Sequence, residues 1–247
     1  MEWNSTLYDK KHDFVAEYGK GLLEFVPKND KQAILDLGCG TGVLTVQLTD
    51  FGNKIVGVDS SQSMIEKAKE QFNNIEFKVC DALALPFEDE FDVVFSNAVF
   101  HWVSDHDALL KSVYKVLKPQ GLLVCEFGAN GNIATIENAF ANACNSLGYD
   151  YKPKFNFPTA EDFEKLLENN GFVIDRIYDY DRPTVLKDNE QGLANWMKQF
   201  FASELTVMPE HIQVMIIEKV EEFTRDILWN GAEWVADYRR LRAIAHI

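Results

Sequence analysis

The chain has 247 residues, of which 47% are hydrophobic, 13% aromatic and 26% charged, a globular composition that excludes a disordered or collagen-like protein. A formal net charge of −15 and a pI near 4.7 oppose phosphate backbones and anionic lipid surfaces, so nucleic acid is not expected as a substrate. No apolar run approaches the roughly 20 residues of a membrane span, and Met1-Glu2-Trp3-Asn4 has neither the basic nor the apolar region of a signal peptide. A cytoplasmic protein without membrane insertion is expected. Cys39, Cys80, Cys125 and Cys144 are irregularly spaced and form no C-x-x-C pair. Buried free thiols are expected in place of a metal site or a redox pair.

From about residue 33 to 127 short apolar runs alternate with amphipathic stretches, the pattern of parallel strands joined by crossover helices. Strands are expected over Ala33–Leu37, Lys54–Val58, Ile75–Cys80, Phe91–Ser96 and Leu122–Phe127. One helix begins at Ser61, with Met64, Ile65, Ala68 and Phe72 inward and Ser63 with Glu66 as a capping box. Another runs from Asp105 and is stopped by Pro119-Gln120-Gly121. The segment 129–158 reads as a first insertion, with a helix around Ile133–Leu147 and an aromatic loop at Phe155-Asn156-Phe157-Pro158. Thr159 is an N-cap candidate for a helix that Asn170-Gly171 ends, and a strand follows around Phe172–Tyr178. Residues 188–229 read as a second insertion with helices over Gln191–Leu205 and Pro209–Leu228, and Trp234–Ile247 suits a closing strand. A single domain is expected, its core about 30–130, 159–180 and 234–247.

The densest chemical signal is Ile34-Leu35-Asp36-Leu37-Gly38-Cys39-Gly40-Thr41-Gly42, a strand running into glycines at the start of a helix. Glycines let the backbone turn sharply and approach a ligand where a Cβ would collide. Val43 breaks the G-x-G-x-x-G dinucleotide pattern, and the acidic Asp36 beside the loop is unsuited to pyrophosphate. A carboxylate there fits a cationic ligand, such as the ammonium and sulfonium of S-adenosylmethionine. One βα unit later, Asp59, with Ser60 beside it, ends the second strand, where it can accept from both ribose hydroxyls. Asp81 and Ala82 follow the third strand, placed for an adenine amino group and ring. Each Asp alone also suits a helix cap; together, at successive strand ends by a topological switch point, they mark one crevice.

With these motifs, with Pro86-Phe87-Glu88-Asp89-Glu90-Phe91-Asp92-Val93-Val94 and with Leu117-Lys118-Pro119-Gln120-Gly121, the chain resembles the class I S-adenosylmethionine-dependent methyltransferases over roughly residues 30–130. That resemblance implies an α/β, Rossmann-like doubly wound seven-stranded sheet ending in an antiparallel hairpin, and the helical insertions near 129–158 and 188–229 are expected over the active site. It implies S-adenosylmethionine as cofactor, with Gly38 and Gly40 beside its methionine part, Asp59 on the ribose, Met64 on the adenine and Asn97 facing it. Ser96-Asn97-Ala98-Val99-Phe100-His101-Trp102-Val103, together with Trp3-Asn4, Tyr8 and Phe14-Val15, is similar to the trans-aconitate methyltransferase-like branch, whose best-known member methylates a carboxylate oxygen. His101 stands where that enzyme has Gln. Tyr8 is expected to close over the cofactor, or to lie on a helix that packs on the sheet.

Methyl transfer from a sulfonium is an in-line displacement and requires no nucleophilic side chain. His101 is the candidate catalytic base, and positioning the substrate or packing beneath Trp102 are its alternatives. Trp102 and Trp196 are candidate substrate contacts, although the Trp196, Met197, Phe200, Phe201 and Met208 cluster also has the spacing of ordinary core. Arg182 is a candidate clamp for an anionic substrate, whereas Arg239, Arg240 and Arg242 are expected in surface ion pairs. The leading expectation is methylation of a small-molecule oxygen, such as a carboxylate. Carbon methylation of a lipid and a non-catalytic S-adenosylmethionine-binding regulator are the alternatives.

Overall fold

In the computed structural model, which describes residue 19 and residues 21–247, the run Ala33–Leu37 forms strand β1 with every residue buried. Its neighbours follow the alternation of the sequence: β2 Lys54–Asp59, β3 Glu76–Val79, β4 Phe91–Asn97, β5 Leu117–Gly128, β6 Val173–Asp181, the short β7 Thr184–Val185 and β8 Val235–Ala236, and β9 Arg239–His246. Seven of them make one sheet in the order β3-β2-β1-β4-β5-β9-β6, and β7 pairs antiparallel with β8. Strands β1 to β5 pair in parallel. Strand β9 runs against β5, since Gln120 N–H donates to Ile247 O, Ile247 N–H donates to Gly121 O, and Glu126 faces Arg242 further along. The expected doubly wound sheet with an antiparallel late hairpin is thus present.

The described chain divides into two compact units. One comprises residues up to Ala129 with Phe155–Asp179 and Leu241–Ile247, and the other Asn130–Lys154 with Tyr180–Arg240. In the first, successive strand residues feed opposite cores: Leu35, Val94, Leu123 and Cys125 pack on one face, and Ile34, Val93, Phe95 and Val124 on the other. Burial on both faces explains why these strands read as continuous apolar runs without polar alternation. The crossover helices are α1 Gln62–Gln71 and α2 His106–Val116; α3 is Ala134–Ser146 and α4 Ala160–Asn169. Asp105 Oδ1 caps α2 by accepting from Ala108 N–H, and Thr159 Oγ1 caps α4 by accepting from Asp162 N–H.

Local details depart from expectation in four places. Ser61, not Ser63, is the N-cap of α1; its Oγ accepts from Met64 N–H, because Ser61 is the residue still in extended conformation. Helix α2 ends at Val116, before Pro119, and β5 starts at once, with a register shift against β4 between Phe91 and Val93 that accommodates the proline. After the glycine loop there is no α-helix; separate turns lead to a short 3-10 helix at Gln47–Asp50, with Gly42 at φ +83. The expected helix Gln191–Leu205 is split into α5 Gly192–Phe200 and α6 Ala202–Leu205. The break falls at Phe201, whose fully buried ring stacks on Phe140 at 4.3 Å and meets Trp196 edge-on. These rings, with α3 and α7 Glu210–Leu228, form the core of the second unit.

Glu126 and Arg242 form a buried ion pair in the first unit. Arg242 Nε donates to Glu126 Oε2 at 2.7 Å and its Nη1 to Tyr178 Oη at 3.2 Å, with side-chain exposures of 10% and 1% for Arg242 and Glu126. Taking one charge out of such a pair leaves the other stranded in low dielectric. Glu126→Ala is therefore expected to cost about 3–5 kcal/mol in urea unfolding, whereas replacing both residues by Leu is expected to recover much of that loss.

Candidate active site

The carboxyl ends of β1, β2, β3 and β4 carry the acidic and amide residues that the sequence singles out. Gly38 N–H and Cys39 N–H both donate to Val58 O, at 2.7 and 2.9 Å, which folds the chain leaving β1 against β2. The turn places Gly38 at φ +77 and Gly40 at φ +54, in the left-handed region that favours glycine. A Cβ at Gly38 would collide with Val99 Cγ2, whereas one at Gly40 would meet nothing within 4 Å. The two glycines thus differ in purpose: the first admits a neighbouring side chain, and the second leaves room beside the backbone.

Asp36 is 3% exposed, and its Oδ2 accepts from Thr45 Oγ1 at 2.6 Å. Burial pushes its carboxyl up to about 7; the Thr45 hydrogen bond acts in the opposite sense, and the charge of Asp59 adds to the rise. Asp59 Oδ2 accepts from Gly40 N–H at 3.0 Å and Oδ1 from Ser61 N–H at 2.8 Å. Burial raises its pKa as well, against the pull of the Ser61, Gly40 and Ser60 N–H groups. Each carboxylate oxygen can take a second hydrogen bond, which leaves acceptor capacity for ribose hydroxyls. Ser60 itself is exposed. Cys80 N–H donates to Asp59 O, so Asp81 follows directly on the strand beside Asp59; it is exposed, and its Oδ1 accepts from Leu83 N–H at 2.9 Å. Ala82 is half-buried against the core, and Met64 is buried in the first turn of α1. Asn97 ends β4, next to β1, and a Cβ at Gly19 would lie 3.0 Å from its Nδ2. Asp36, Gly38, Gly40, Asp59, Asp81 and Asn97 therefore share the carboxyl edge of the sheet around the β1/β4 switch point.

His101 sits in a single 3-10 turn, Phe100–Trp102, and is buried. Gly128 N–H donates to its Nδ1 at 3.2 Å, and its backbone carbonyl accepts from Asn156 N–H at 2.9 Å. Trp102, Phe155 and Phe157 surround the ring at centroid distances of 5.5, 6.1 and 5.7 Å. Arg182 and Trp196 belong to the second unit. There Arg182 donates to Tyr180 Oη, and Trp196 is buried with its Nε1 donating to Tyr238 Oη at 2.6 Å. Trp3, Asn4, Tyr8, Phe14 and Val15 lie outside the described residues.

One expectation about the late arginines is corrected. Arg239 does form a surface pair with Asp181, but Arg240 and Arg242 are only 7% and 8% exposed. Both face inward because β9 lies inside the sheet, between β5 and β6, which a run of charged residues does not announce. Thr45 and the Gly128 N–H, the partners of Asp36 and His101, also carry no signal in the sequence, since tertiary packing alone brings them there.

A methyltransferase domain family matches residues 35–125. Over 214 residues the chain is 30% identical to a trans-aconitate 2-methyltransferase of Deinococcus radiodurans, covering 80% of each protein. It is 29% identical over 257 residues to an uncharacterized methyltransferase of Schizosaccharomyces pombe, covering 99% of this chain and 97% of that one. The YcgJ protein of Bacillus subtilis shares the fold with a TM-score of 0.67 at 19% identity, covering 93% of this chain and 98% of that one. The fold and the family together define a Rossmann-like methyltransferase. The chain belongs to the class I S-adenosylmethionine-dependent methyltransferases, and it is an enzyme with S-adenosylmethionine as cofactor. The open space at Gly40 and the carboxyl-rich donor set fit that cationic ligand.

Two outcomes are expected. Gly40→Ala should fold, at a cost of about 1–2 kcal/mol for a left-handed alanine, yet bind S-adenosylhomocysteine more than about tenfold more weakly in calorimetry, because the methyl takes ligand space. Gly38→Ala should instead destabilise the fold itself. For Asp36, a cationic ligand favours the ionised carboxyl, so below about pH 7 binding must expel a proton. Affinity for S-adenosylmethionine is expected to fall roughly tenfold per pH unit from 7 towards 5. Asp36→Asn should flatten that profile. In the ligand-free protein the sign is reversed: the folded value of about 7 exceeds the ordinary 3.8, so this group's contribution to stability is lost as pH rises from about 4 to 7.

Proposed function

We propose that the enzyme methylates a carboxylate oxygen of a small-molecule acceptor. The observation that carries this is the hydrogen bond from Gly128 N–H to His101 Nδ1. With Nδ1 accepting, the neutral imidazole holds its proton on Nε2, so its second nitrogen is a donor and not a base. A donor suits an acceptor that arrives ionised, whereas a phenol or an ammonium needs its proton removed. The 30% identity to a trans-aconitate 2-methyltransferase over 80% of the chain supports the same choice.

S-adenosylmethionine supplies a methyl group on a positive sulfur, which an anionic oxygen attacks in line while both charges disappear. Loss of charge in the transition state favours a dry, apolar surround over water. Trp102, Phe155 and Phe157 supply apolar surface around His101. Asp36 and Asp59 anchor the cofactor at its cationic part and its ribose, and Asp81 with Ala82 at its adenine. The net charge of −15 supports an acceptor other than nucleic acid. Free thiols at Cys39, Cys80, Cys125 and Cys144 support a reducing, cytoplasmic setting. No described helix is long and apolar enough to cross a membrane.

The test is product chemistry. With methyl-labelled cofactor and trans-aconitate or an acid extract of metabolites, the label should leave as a methyl ester cleaved by mild alkali; an alkali-stable product overturns the carboxylate assignment. His101→Gln keeps a donor and should retain kcat within about tenfold, whereas removal of a true general base would lower it by about 10²–10⁴.

A further inference from the structure

Asp36 stands in register with Gly57 of β2 and Phe95 of β4, so its side chain leaves the sheet on the same face as those of Ile34 and Phe95. The chain that follows the glycine loop covers that face. Its Leu44 and Leu48 are buried in one core with Ile34 and Phe95, and its turns are closed by Val46 N–H donating to Gly42 O and Leu48 N–H to Leu44 O. Thr45 lies between these two leucines with no exposed surface, and its Oγ1 donates to Asp36 Oδ2 at 2.6 Å. Gly57 adds no side chain beside the pair; a Cβ there would lie 3.0 Å from Cys39 Sγ.

We propose that Thr45 is a positioning residue for cofactor binding: by donating its hydroxyl proton to Asp36 Oδ2 it fixes the carboxyl and leaves Oδ1 as the acceptor for the ammonium of S-adenosylmethionine. This rests on the reading that Asp36 meets the cationic part of the cofactor. Among the described residues, Oδ2 is the Asp36 oxygen that accepts a hydrogen bond, and Thr45 is its donor. A hydroxyl suits the task better than a cation would. A lysine or arginine at this place would cancel the charge of the carboxyl and with it the attraction for a cationic ligand, whereas threonine orients the carboxylate and leaves its charge intact. The β-branch adds a stiff χ1, which keeps the hydroxyl aimed. The titratable groups facing Asp36 are Asp59, at the end of β2, and the Cys39 thiol in the loop. Burial and the charge of Asp59 oppose ionisation of Asp36, and the Thr45 hydrogen bond opposes them. Burial and both carboxyls push the Cys39 thiol up, so it stays neutral. Removing the hydroxyl should therefore change the pH at which the site takes a cation, and not weaken binding uniformly.

The test takes two readings on the full chain. In the ligand-free protein the Asp36 carboxyl is titrated through its carbon-13 resonance, assigned with Asp36→Asn. Thr45→Val is expected to move the midpoint up by about one to two pH units, the effect of losing a hydrogen bond to a charged group. Thr45→Ser keeps the hydroxyl and should leave the midpoint within about half a unit. Thr45→Ala also lacks the hydroxyl and should behave as Thr45→Val does, which covers a failure of either to fold. The second reading is calorimetry with S-adenosylhomocysteine, which keeps the ammonium. Thr45→Val should bind it about 5–50-fold more weakly than the unaltered chain at pH 7, yet within about twofold at pH 9, where the carboxyl is ionised in both. An unmoved midpoint in a folded variant without the hydroxyl, or a loss of affinity equal at pH 7 and pH 9, overturns the role of Thr45. A midpoint that moves while Asp36→Asn binds as tightly as the unaltered chain at pH 9 overturns instead the placement of Asp36 at the cofactor, and the positioning role with it.

Discussion

The first unit depends on how the end of β2 grips the loop that leaves β1. Val58 O takes the N–H groups of Gly38 and Cys39, and the Asp59 carboxyl takes those of Gly40 and Ser61. The loop's amides are thereby satisfied by one strand end, so the chain can turn through two left-handed residues without leaving buried donors unpaired. Val99 then fills the space that a side chain at Gly38 would claim, and the turn after β4 that carries His101 is set against the same loop. The glycine loop and the turn after β4 are therefore fixed by one constraint.

That constraint has an electrostatic cost. Burial raises the pKa of both Asp36 and Asp59, and the charge of Asp59 adds to the difficulty of ionising Asp36. The Thr45 hydroxyl, donating to Asp36 Oδ2, offsets part of that cost and holds the carboxyl in place.

How much of this is legible in the sequence follows from how local each cause is. β1 coincides with its expected bounds because a buried parallel strand needs only an apolar run between a polar residue and a glycine. The caps at Asp105 and Thr159 are equally local, each bonding to an N–H three residues on. Asp36, Asp59 and Asp81 are visible because strand ends recur at regular spacing. The break at Phe201 is not visible, since it arises from a ring on another helix, Phe140, that draws Phe201 inward. Nor is the burial of Arg242, whose carboxylate partner Glu126 lies in a strand far earlier in the chain.

Strand β9 carries a further consequence, for the order of assembly. It lies inside the sheet, between β5 and β6, yet the whole of residues 129–238 is synthesised after β5 and before it. Until it arrives, β5 presents an unpaired edge, and β6 has no neighbour on the sheet to pair with. The parallel half, β1 to β5, can form during synthesis from contacts between near neighbours, but closure waits on a pairing of high sequence separation. A nascent chain halted short of β9 would thus hold the carboxyl ends of β1 to β4 nearly in place while exposing an open strand, a state that invites pairing with another copy before the molecule is finished.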